Sequence, residues 1–227
     1  MIAQHPILKG QLICVALNDS RQLIQLEEQF SEPPHKQAPR QPVLYFKPVN
    51  TFNVHGATLP WLLGEDGQPA TKCVIGASLA VVIGKRACRI SSGEVGPFIA
   101  GVTLMHDFSL PESSYFRPDI RGKCQDGSAP VGPELVAAEH TENLQSLDIT
   151  TSVNDVEQGR MPLHCLQRSI ASLISDISWI MTLQSGDVIA TGFPGSRITV
   201  QPGDRVASSI EGIGELVNTI GSVGVQS

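Results

Sequence analysis

The chain has 227 residues, 41% of them hydrophobic and 17% charged, a balance that predicts a sizeable folded core and excludes disorder of the whole chain. Sixteen basic and 22 acidic residues give a formal net charge of −6, which argues against a nucleic-acid-binding face. Five cysteines without a Cys-x-x-Cys pair, no signal-like start and no long apolar segment predict a cytoplasmic protein with reduced thiols and no membrane partner.

The first 48 residues are predicted to form a smaller strand-helix-loop segment. The apolar run 10–17 has the length of a strand, and Asn18-Asp19 opens a helical pattern. The proline-rich stretch 31–41 is typical of an exposed loop, either a lid or a plain surface loop. Residues 43–48 form a second predicted strand that ends at proline.

Residues 49–227 are predicted to be the main body of one domain that spans 1–227. The continuous apolar run 79–83 indicates a strand buried on both faces, and a short helix is expected at 94–100, followed by a strand at 101–105. The polar segment 106–133 is too long for an ordinary connection. Its Asp, Arg, Lys and Gly content favours a functional role.

The last third of the chain is rich in predicted strands. Alternation over 147–153 indicates a strand, and an apolar stripe over 163–181 predicts a helix. After Gly186 the apolar period becomes two, which predicts short strands at 187–191, 197–200, 205–210 and 215–220. The whole pattern predicts a mixed α+β, β-rich fold.

Polar groups that follow predicted strands are the first candidates for a functional site. Asp107 follows one strand, Thr191 and Gly192 end another, and the basic stretch 117–127 lies in the long polar segment. Side chains at strand ends are often functional because the sheet positions them. Taken singly, however, an Asp after a strand is more often a turn or cap residue, and a Thr-Gly pair is more often a bend.

Together, five segments resemble the fumarylacetoacetate hydrolase family over nearly the whole chain. They are FKPVNT at 46–51, LAVVIGK at 79–85, the segment HDFSLPESSYFRPDIRGKCQDGSAPVGP at 106–133, SGDVIATGFP at 185–194 and PGDRVASSIEGIGELVN at 202–218. The resemblance implies a strongly twisted β-roll with flanking helices and a Mg²⁺ or Mn²⁺ site in its mouth. In the 106–133 segment the chain is most similar to isomerase/decarboxylases of aromatic catabolism, which implies oxo-hexene-tricarboxylate or 2-hydroxy-hepta-2,4-diene-1,7-dioate type substrates.

The resemblance also predicts a depleted metal site. Family members carry Glu-x-Glu before the LAVVIGK strand, two carboxylates on one face that share an ion, whereas this chain has Gly76 and Ser78. The third metal carboxylate, Asp107, is retained, so a weak or absent Mg²⁺ or Mn²⁺ site is expected there. A family His-x-x-Glu base pair is replaced by Gln22 and Gln25, whose amides do not exchange protons near neutral pH.

The remaining site residues are carried over from the resemblance. The expected catalytic residues are Asp107, Lys123 and His106. The expected substrate-binding residues are Thr191, Gly192, Arg117 and Lys47, although Lys47 fits a framework role equally well. Arg197, after the Gly-Phe-Pro-Gly turn, is expected to be a surface charge.

Four functions fit these residues. The chain is expected to be an isomerase/decarboxylase subunit, a catalytically silent subunit that completes an oligomer with a metal-competent homologue, a hydrolase of a C–C bond in an acylpyruvate-like substrate, or a binder of small dicarboxylates. A homo-oligomer or a hetero-oligomer is expected. The feature that discriminates among them is the pair Gly76 and Ser78, where a metal-dependent member would carry Glu.

Overall fold

The computed structural model describes residues 5–33, 36–112, 119–138 and 144–223. In these ranges the chain forms two β-sheets and a few short helices. All five cysteines are described, and none of them is in a disulfide. Within the same ranges, no helix combines the length and the apolar character that crossing a bilayer requires.

The larger sheet has eight strands. They are β1 (Leu12–Ala16), β2 (Val43–Lys47), β3 (Phe52–Val54), β5 (Cys73–Ile83), β6 (Ile99–Ser109), β7 (Ala129–Ala137), β10 (Val188–Ala190) and β11 (Ile198–Val200). Their order is β2-β1-β10-β5-β6-β7-β3, and β11 pairs with the first part of β5. The long antiparallel pair β5 and β6 forms the centre of this sheet.

The smaller sheet has five strands in the order β4-β13-β12-β8-β9. They are β4 (Thr58–Leu59), β8 (Asp148–Val153), β9 (Val156–Pro162), β12 (Arg205–Ile210) and β13 (Gly214–Ile220). The helices are α1 (Ser20–Gln25), α2 (Glu27–Ser31), α3 (Ile120–Lys123) and α4 (Ile170–Ile180). The predicted β-rich character is therefore confirmed.

The larger sheet curls into a roll. Its path from β2 to β3 crosses seven strands, and in a flat sheet these outer strands would stand roughly 29 Å apart. Lys47 ends β2 and Phe52 begins β3, so the chain between them reaches at most about 18 Å. The sheet must therefore bend back on itself, and side chains of β2 meet side chains of β6 inside the roll.

Strand β5 is buried on both faces, as its apolar run predicted. One face packs on the smaller sheet and α4 through Leu79 and Val81. The other face lines the inside of the roll, where Ala80 and Val82 pack with Leu12. The central strand thus separates two apolar clusters, and any site beside it is shielded from water.

Two helix predictions need correction. The helix expected at 94–100 is wrong, because two 3-10 turns, Ser92–Glu94 and Gly96–Phe98, occupy this stretch and β6 begins at Ile99. Glycine at 93 and 96 and proline at 97 disfavour a continuous helix there.

The helix expected over 163–181 begins later, at Ile170. Asn18 binds the segment before it, since its backbone oxygen accepts from Gln167 N and its side-chain oxygen accepts from Arg168 N. These backbone donors are therefore held outside the helix. Ser169 then caps α4 by accepting a hydrogen bond from Ser172 N.

Candidate functional site

Asp107 lies near the end of β6, with its side chain completely buried inside the roll. Its partner across the sheet is Gly76 on β5. Because side chains alternate along a strand, the neighbouring His106 points to the opposite face. Two candidate catalytic residues that are adjacent in the sequence therefore face different parts of the molecule.

Three cations surround the Asp107 carboxylate. Lys47 Nζ lies 2.7 Å from Oδ1, Lys123 Nζ lies 3.1 Å from Oδ2, and Arg197 Nη2 lies 3.2 Å from Oδ2. The Tyr45 hydroxyl donates a hydrogen bond of 2.8 Å to Oδ2. We call these five residues the Asp107 cluster. The cluster holds three positive charges against one negative charge, largely out of contact with water.

Burial and charge together set the protonation of this cluster. Burial alone raises the pKa of Asp107, but the three cations outweigh this effect and hold that pKa well below its ordinary value. Burial and the Asp107 charge raise the pKa of Tyr45 well above its ordinary value, so its hydroxyl stays a donor. At neutral pH, Asp107 is therefore a fixed anion and a poor proton acceptor.

Arg197 is a partly buried member of the cluster, and the expectation that it is a surface charge is wrong. Its side chain is 17% exposed, and its guanidinium carbon lies 4.4 Å from the centroid of the Phe193 ring. Since Ile198 pairs with Ile75 at the start of β11, the preceding Arg197 comes to lie beside Gly76. Strand pairing between distant parts of the chain therefore brings it to Asp107.

Tyr45 was not among the residues expected at the site, and Arg197 was expected at the surface. Tyr45 and Lys47 stand two residues apart on β2 and so share one face, which was a usable signal for Tyr45. Arg197 gave no such signal, because its place depends on how β11 pairs with β5.

Lys123 is placed by the short helix α3. Asp119 caps this helix by accepting a hydrogen bond of 2.8 Å from Gly122 N. Lys123 Nζ donates to Ser109 Oγ at 3.3 Å and lies 3.6 Å from a Glu112 oxygen. Besides Asp107, Lys123 thus has a hydroxyl and a second carboxylate close to its charge.

Lys47 is enclosed more completely than Lys123. Its side chain is 0% exposed, and Nζ lies 3.3 Å from Ser128 Oγ and 3.4 Å from the Phe108 carbonyl oxygen. These contacts fit the framework alternative for Lys47 better than direct contact with a ligand.

Thr191 and Gly192 are hydrogen-bonded to β5. The Thr191 hydroxyl donates to the Leu79 carbonyl at 3.1 Å, and Gly192 N donates to Ser78 Oγ at 3.2 Å. Gly192 has φ +149°, a backbone conformation that favours glycine. Both expected substrate-binding groups thus hold the end of β10 against β5, and Ser78 serves the same contact.

His106 links the two sheets. Its Nδ1 lies 3.0 Å from Asn218 Oδ1, and its Nε2 lies 2.8 Å from Ser208 Oγ. Because the Asn218 amide nitrogen donates to the Val54 and Ala57 carbonyls, its oxygen is the acceptor and Nδ1 carries the ring proton. Burial lowers the pKa of His106 to about 4, so the ring is neutral at pH 7. It does not face the Asp107 cluster.

Two small cavities flank the turn before β11. The smaller, about 180 Å³, is lined by polar groups that include Lys123, Arg197, Ser109 and Glu112. The larger, about 260 Å³, is lined by residues that include Gly76, Gln22 and Gln25. Gln22 lines both cavities. Arg117, the remaining expected binding residue, lies outside the described residues.

The residues present do not fit a divalent metal ion. Both Asp107 oxygens already face cations, and an ideal Cβ at Gly76 would lie only 2.5 Å from Arg197 Nη1. No metal-ligating group of three His, Cys, Asp or Glu side chains occurs within the described ranges. Mg²⁺ is usually held by one or two carboxylates with free coordination positions, which this cluster does not offer.

Comparison with known proteins relates this geometry to a family. The chain matches the family described as Fumarylacetoacetate (FAA) hydrolase C-terminal over residues 11–221. It is 38% identical over 213 residues to the 4-hydroxyphenylacetate degradation bifunctional isomerase/decarboxylase of Escherichia coli, covering 94% of this chain and 47% of the relative. The chain thus spans about half the length of that relative.

Solved structures share the fold. The 5-carboxymethyl-2-hydroxymuconate delta-isomerase of Mycobacterium smegmatis superposes with a TM-score of 0.77 at 27% identity, covering 95% of this chain and 78% of the other. The fumarylpyruvate hydrolase of Pseudomonas aeruginosa, solved with Mn²⁺ and pyruvate, superposes with a TM-score of 0.76 at 23% identity. It covers 93% of this chain and 89% of the other, and at this identity the likeness concerns the fold alone.

Proposed function

The chain belongs to the fumarylacetoacetate hydrolase family, and from that premise we propose that it is an isomerase/decarboxylase subunit of aromatic catabolism. Its substrate is an oxo-hexene-tricarboxylate or a 2-hydroxy-hepta-2,4-diene-1,7-dioate type intermediate. The reaction class is drawn from the 38% identical relative, whose name includes both activities. The chain spans about half of that relative, so we propose that it acts together with a second unit of the same kind. That unit is either another copy of this chain in a homo-oligomer or a homologous metal-competent subunit.

The surplus of positive charge at the Asp107 cluster carries this proposal. Three cations face a single carboxylate, and Glu112 adds one further negative charge at 3.6 Å from Lys123. Buried charges without counter-charges are unfavourable. With Glu112 counted, one positive charge lacks a counter-charge, and a substrate carboxylate supplies it, whereas a neutral substrate does not.

The same cations suit the chemistry. Loss of CO₂ from a carboxylate β to an oxo group, or conjugated to it through a double bond, leaves the electron pair of the broken C–C bond on the oxo oxygen as an enolate. Migration of a double bond beside an oxo group forms the same kind of enolate when water removes a proton from carbon, and water returns a proton to carbon in both reactions. Preorganised donors aimed at that oxygen stabilise the transition state. Lys123 lines the smaller cavity and is the donor we assign to the enolate oxygen.

The other predicted residues take supporting roles in this scheme. Asp107, ionised and surrounded, holds Lys123 and Lys47 in place as a positioning residue. Thr191 and Gly192 shape the wall of the site through their bonds to β5. His106, on the opposite face with both ring nitrogens engaged, takes no part.

Turnover by the purified chain tests the proposal. Loss of the ultraviolet absorbance of the conjugated oxo-dioate is followed for the wild type, for Lys123→Met and for the exposed control Lys72→Met. We expect Lys123→Met to lower kcat by roughly 100-fold or more and Lys72→Met to leave it unchanged. Equal turnover by wild type and Lys123→Met refutes the assignment.

A silent subunit is the second candidate function. Gly76, Ser78, Gln22 and Gln25 stand where the resemblance places metal ligands and a base, which favours a chain that completes an oligomer without turning over substrate. This candidate predicts no turnover by the folded chain alone and a larger assembly, measured by light scattering, when a metal-competent homologous chain is added. Turnover by the isolated chain refutes it.

A further inference from the structure

Gly76 and Arg197 fit each other sterically. An ideal Cβ at Gly76 would lie 2.5 Å from Arg197 Nη1 and 2.8 Å from Cδ, closer than real Cβ contacts, and 3.0 Å from Cζ. Gly76 is not among the glycines with positive φ, so the backbone does not require glycine here. The Arg197 guanidinium requires glycine at residue 76, because any larger residue there would displace Arg197.

Of the two terminal nitrogens of the Arg197 guanidinium, one is paired and the other has no partner among the described residues. Nη2 pairs with Asp107, and stacking on Phe193 fixes the plane of the group. Nη1 is buried and has no hydrogen-bond partner within the part of the chain that the structure describes. Gly76 lines the larger cavity and Arg197 lines the smaller one, so the unpartnered Nη1 lies between the two cavities.

We propose that Arg197 is the fixed cation of this site, which binds a carboxylate of an oxo acid beside Lys123 without a divalent metal ion. The room that a ligating side chain at residue 76 would need is filled by the guanidinium. A planar guanidinium, always protonated, matches the geometry of a carboxylate and supplies the positive charge permanently. The inference rests on the proposed function for the chemical class of the ligand only.

Calorimetry with oxalate, a small dianion that resembles an oxo acid, tests the inference on the full chain. We expect the same Kd in the presence of EDTA and of millimolar Mn²⁺, with the concentration of free oxalate corrected for the complex that oxalate forms with Mn²⁺ in solution. Arg197→Gln, which is smaller and causes no clash, should raise Kd roughly 10-fold or more. Arg205→Ala is the control, because it removes a guanidinium that pairs with Asp155 at the surface. Oxalate binding that requires Mn²⁺, or that survives Arg197→Gln unchanged, overturns the inference.

A second set of variants tests the coupling between the two residues. Gly76→Ala should displace the guanidinium and raise the Kd for oxalate, while adding Gly76→Ala to Arg197→Gln should raise it no further. A merely structural role for Arg197 predicts that the two effects multiply, and that result would overturn the inference. Circular dichroism confirms that each variant is folded.

A third measurement uses the electron paramagnetic resonance signal of free Mn²⁺. Gly76→Glu with Ser78→Glu should not bind Mn²⁺ while Arg197 is present, and should bind it when Arg197→Ala is added. Mn²⁺ binding by the wild type that is lost in Asp107→Asn would contradict the inference.

Turnover separates this inference from the proposed function. If oxalate binds through Arg197 but the chain shows no turnover, only the proposed function is refuted. If turnover requires Mn²⁺, only the inference about Arg197 is refuted.

Discussion

Replacing His106 by Gln tests whether a neutral buried imidazole links the two sheets. The ring is completely buried, with Asn218 and Ser208 bound to its two nitrogens. Burial lowers its pKa from 6.5 to about 4. Above pH 6.5 the imidazole is neutral in both the folded and the unfolded chain, so it contributes no pH dependence there.

Below pH 6.5 the unfolded chain binds a proton at His106 and the folded chain does not. The free energy of unfolding therefore falls as the pH is lowered from 6.5 to about 4. A difference of about 2.5 pKa units, at ~1.36 kcal/mol each, makes the loss from this one residue about 3 kcal/mol. Gln does not titrate, so His106→Gln should remove this part of the acid sensitivity.

Urea unfolding of the wild type and of His106→Gln between pH 4 and pH 8 measures the difference. We expect the variant to be less stable at pH 7 by about 1–3 kcal/mol, because a packed ring with two hydrogen bonds is lost, but its stability should depend less on pH. His164→Gln, at an exposed position, is the matched control and should keep the wild-type slope. Parallel pH curves for the wild type and His106→Gln would refute the reasoning.

Three further predictions concern the Asp107 cluster and the core. Asp107→Asn should lower the free energy of unfolding by about 3–5 kcal/mol, measured in urea, because three cations lose their counter-charge. Lys47→Met should cost less than Asp107→Asn in the same assay, since Asp107 keeps two cations, and an equal or larger cost would contradict this. Leu79→Ala should cost about 2–5 kcal/mol by leaving a cavity between the sheets, against less than about 0.5 kcal/mol for the exposed Val156→Ala.

The strands were predictable where apolar residues follow one another without interruption. The run 79–83 marked the second half of β5, and the first half, which begins at Cys73, was missed because Gly76 and Ser78 break the apolar pattern. In the same way β6 continues beyond the predicted end at 105 to Ser109, through buried polar residues. A hydrophobic pattern does not detect a buried polar group whose partners come from other strands.

The site was predictable only in part for the same reason. Asp107 and Lys123 were found through the family resemblance, and the structure brings them within 3.1 Å of each other. Arg197 was not found, since a charged residue after a glycine-rich turn is ordinarily exposed. It is drawn in by an ion pair and an aromatic contact that depend on the pairing of β11 with β5.

The absence of the Glu-x-Glu pair that the resemblance predicts does not by itself mean that the site no longer binds a ligand. Compared with the Glu that the resemblance predicts, Gly76 carries no negative charge and leaves the space that Arg197 fills. A random loss of metal ligands would leave an unfilled space beside Asp107, whereas here three cations face the Asp107 carboxylate and the guanidinium of one of them occupies the space. The combination of a glycine without a backbone requirement and a partly buried arginine packed against it argues for a rebuilt anion site.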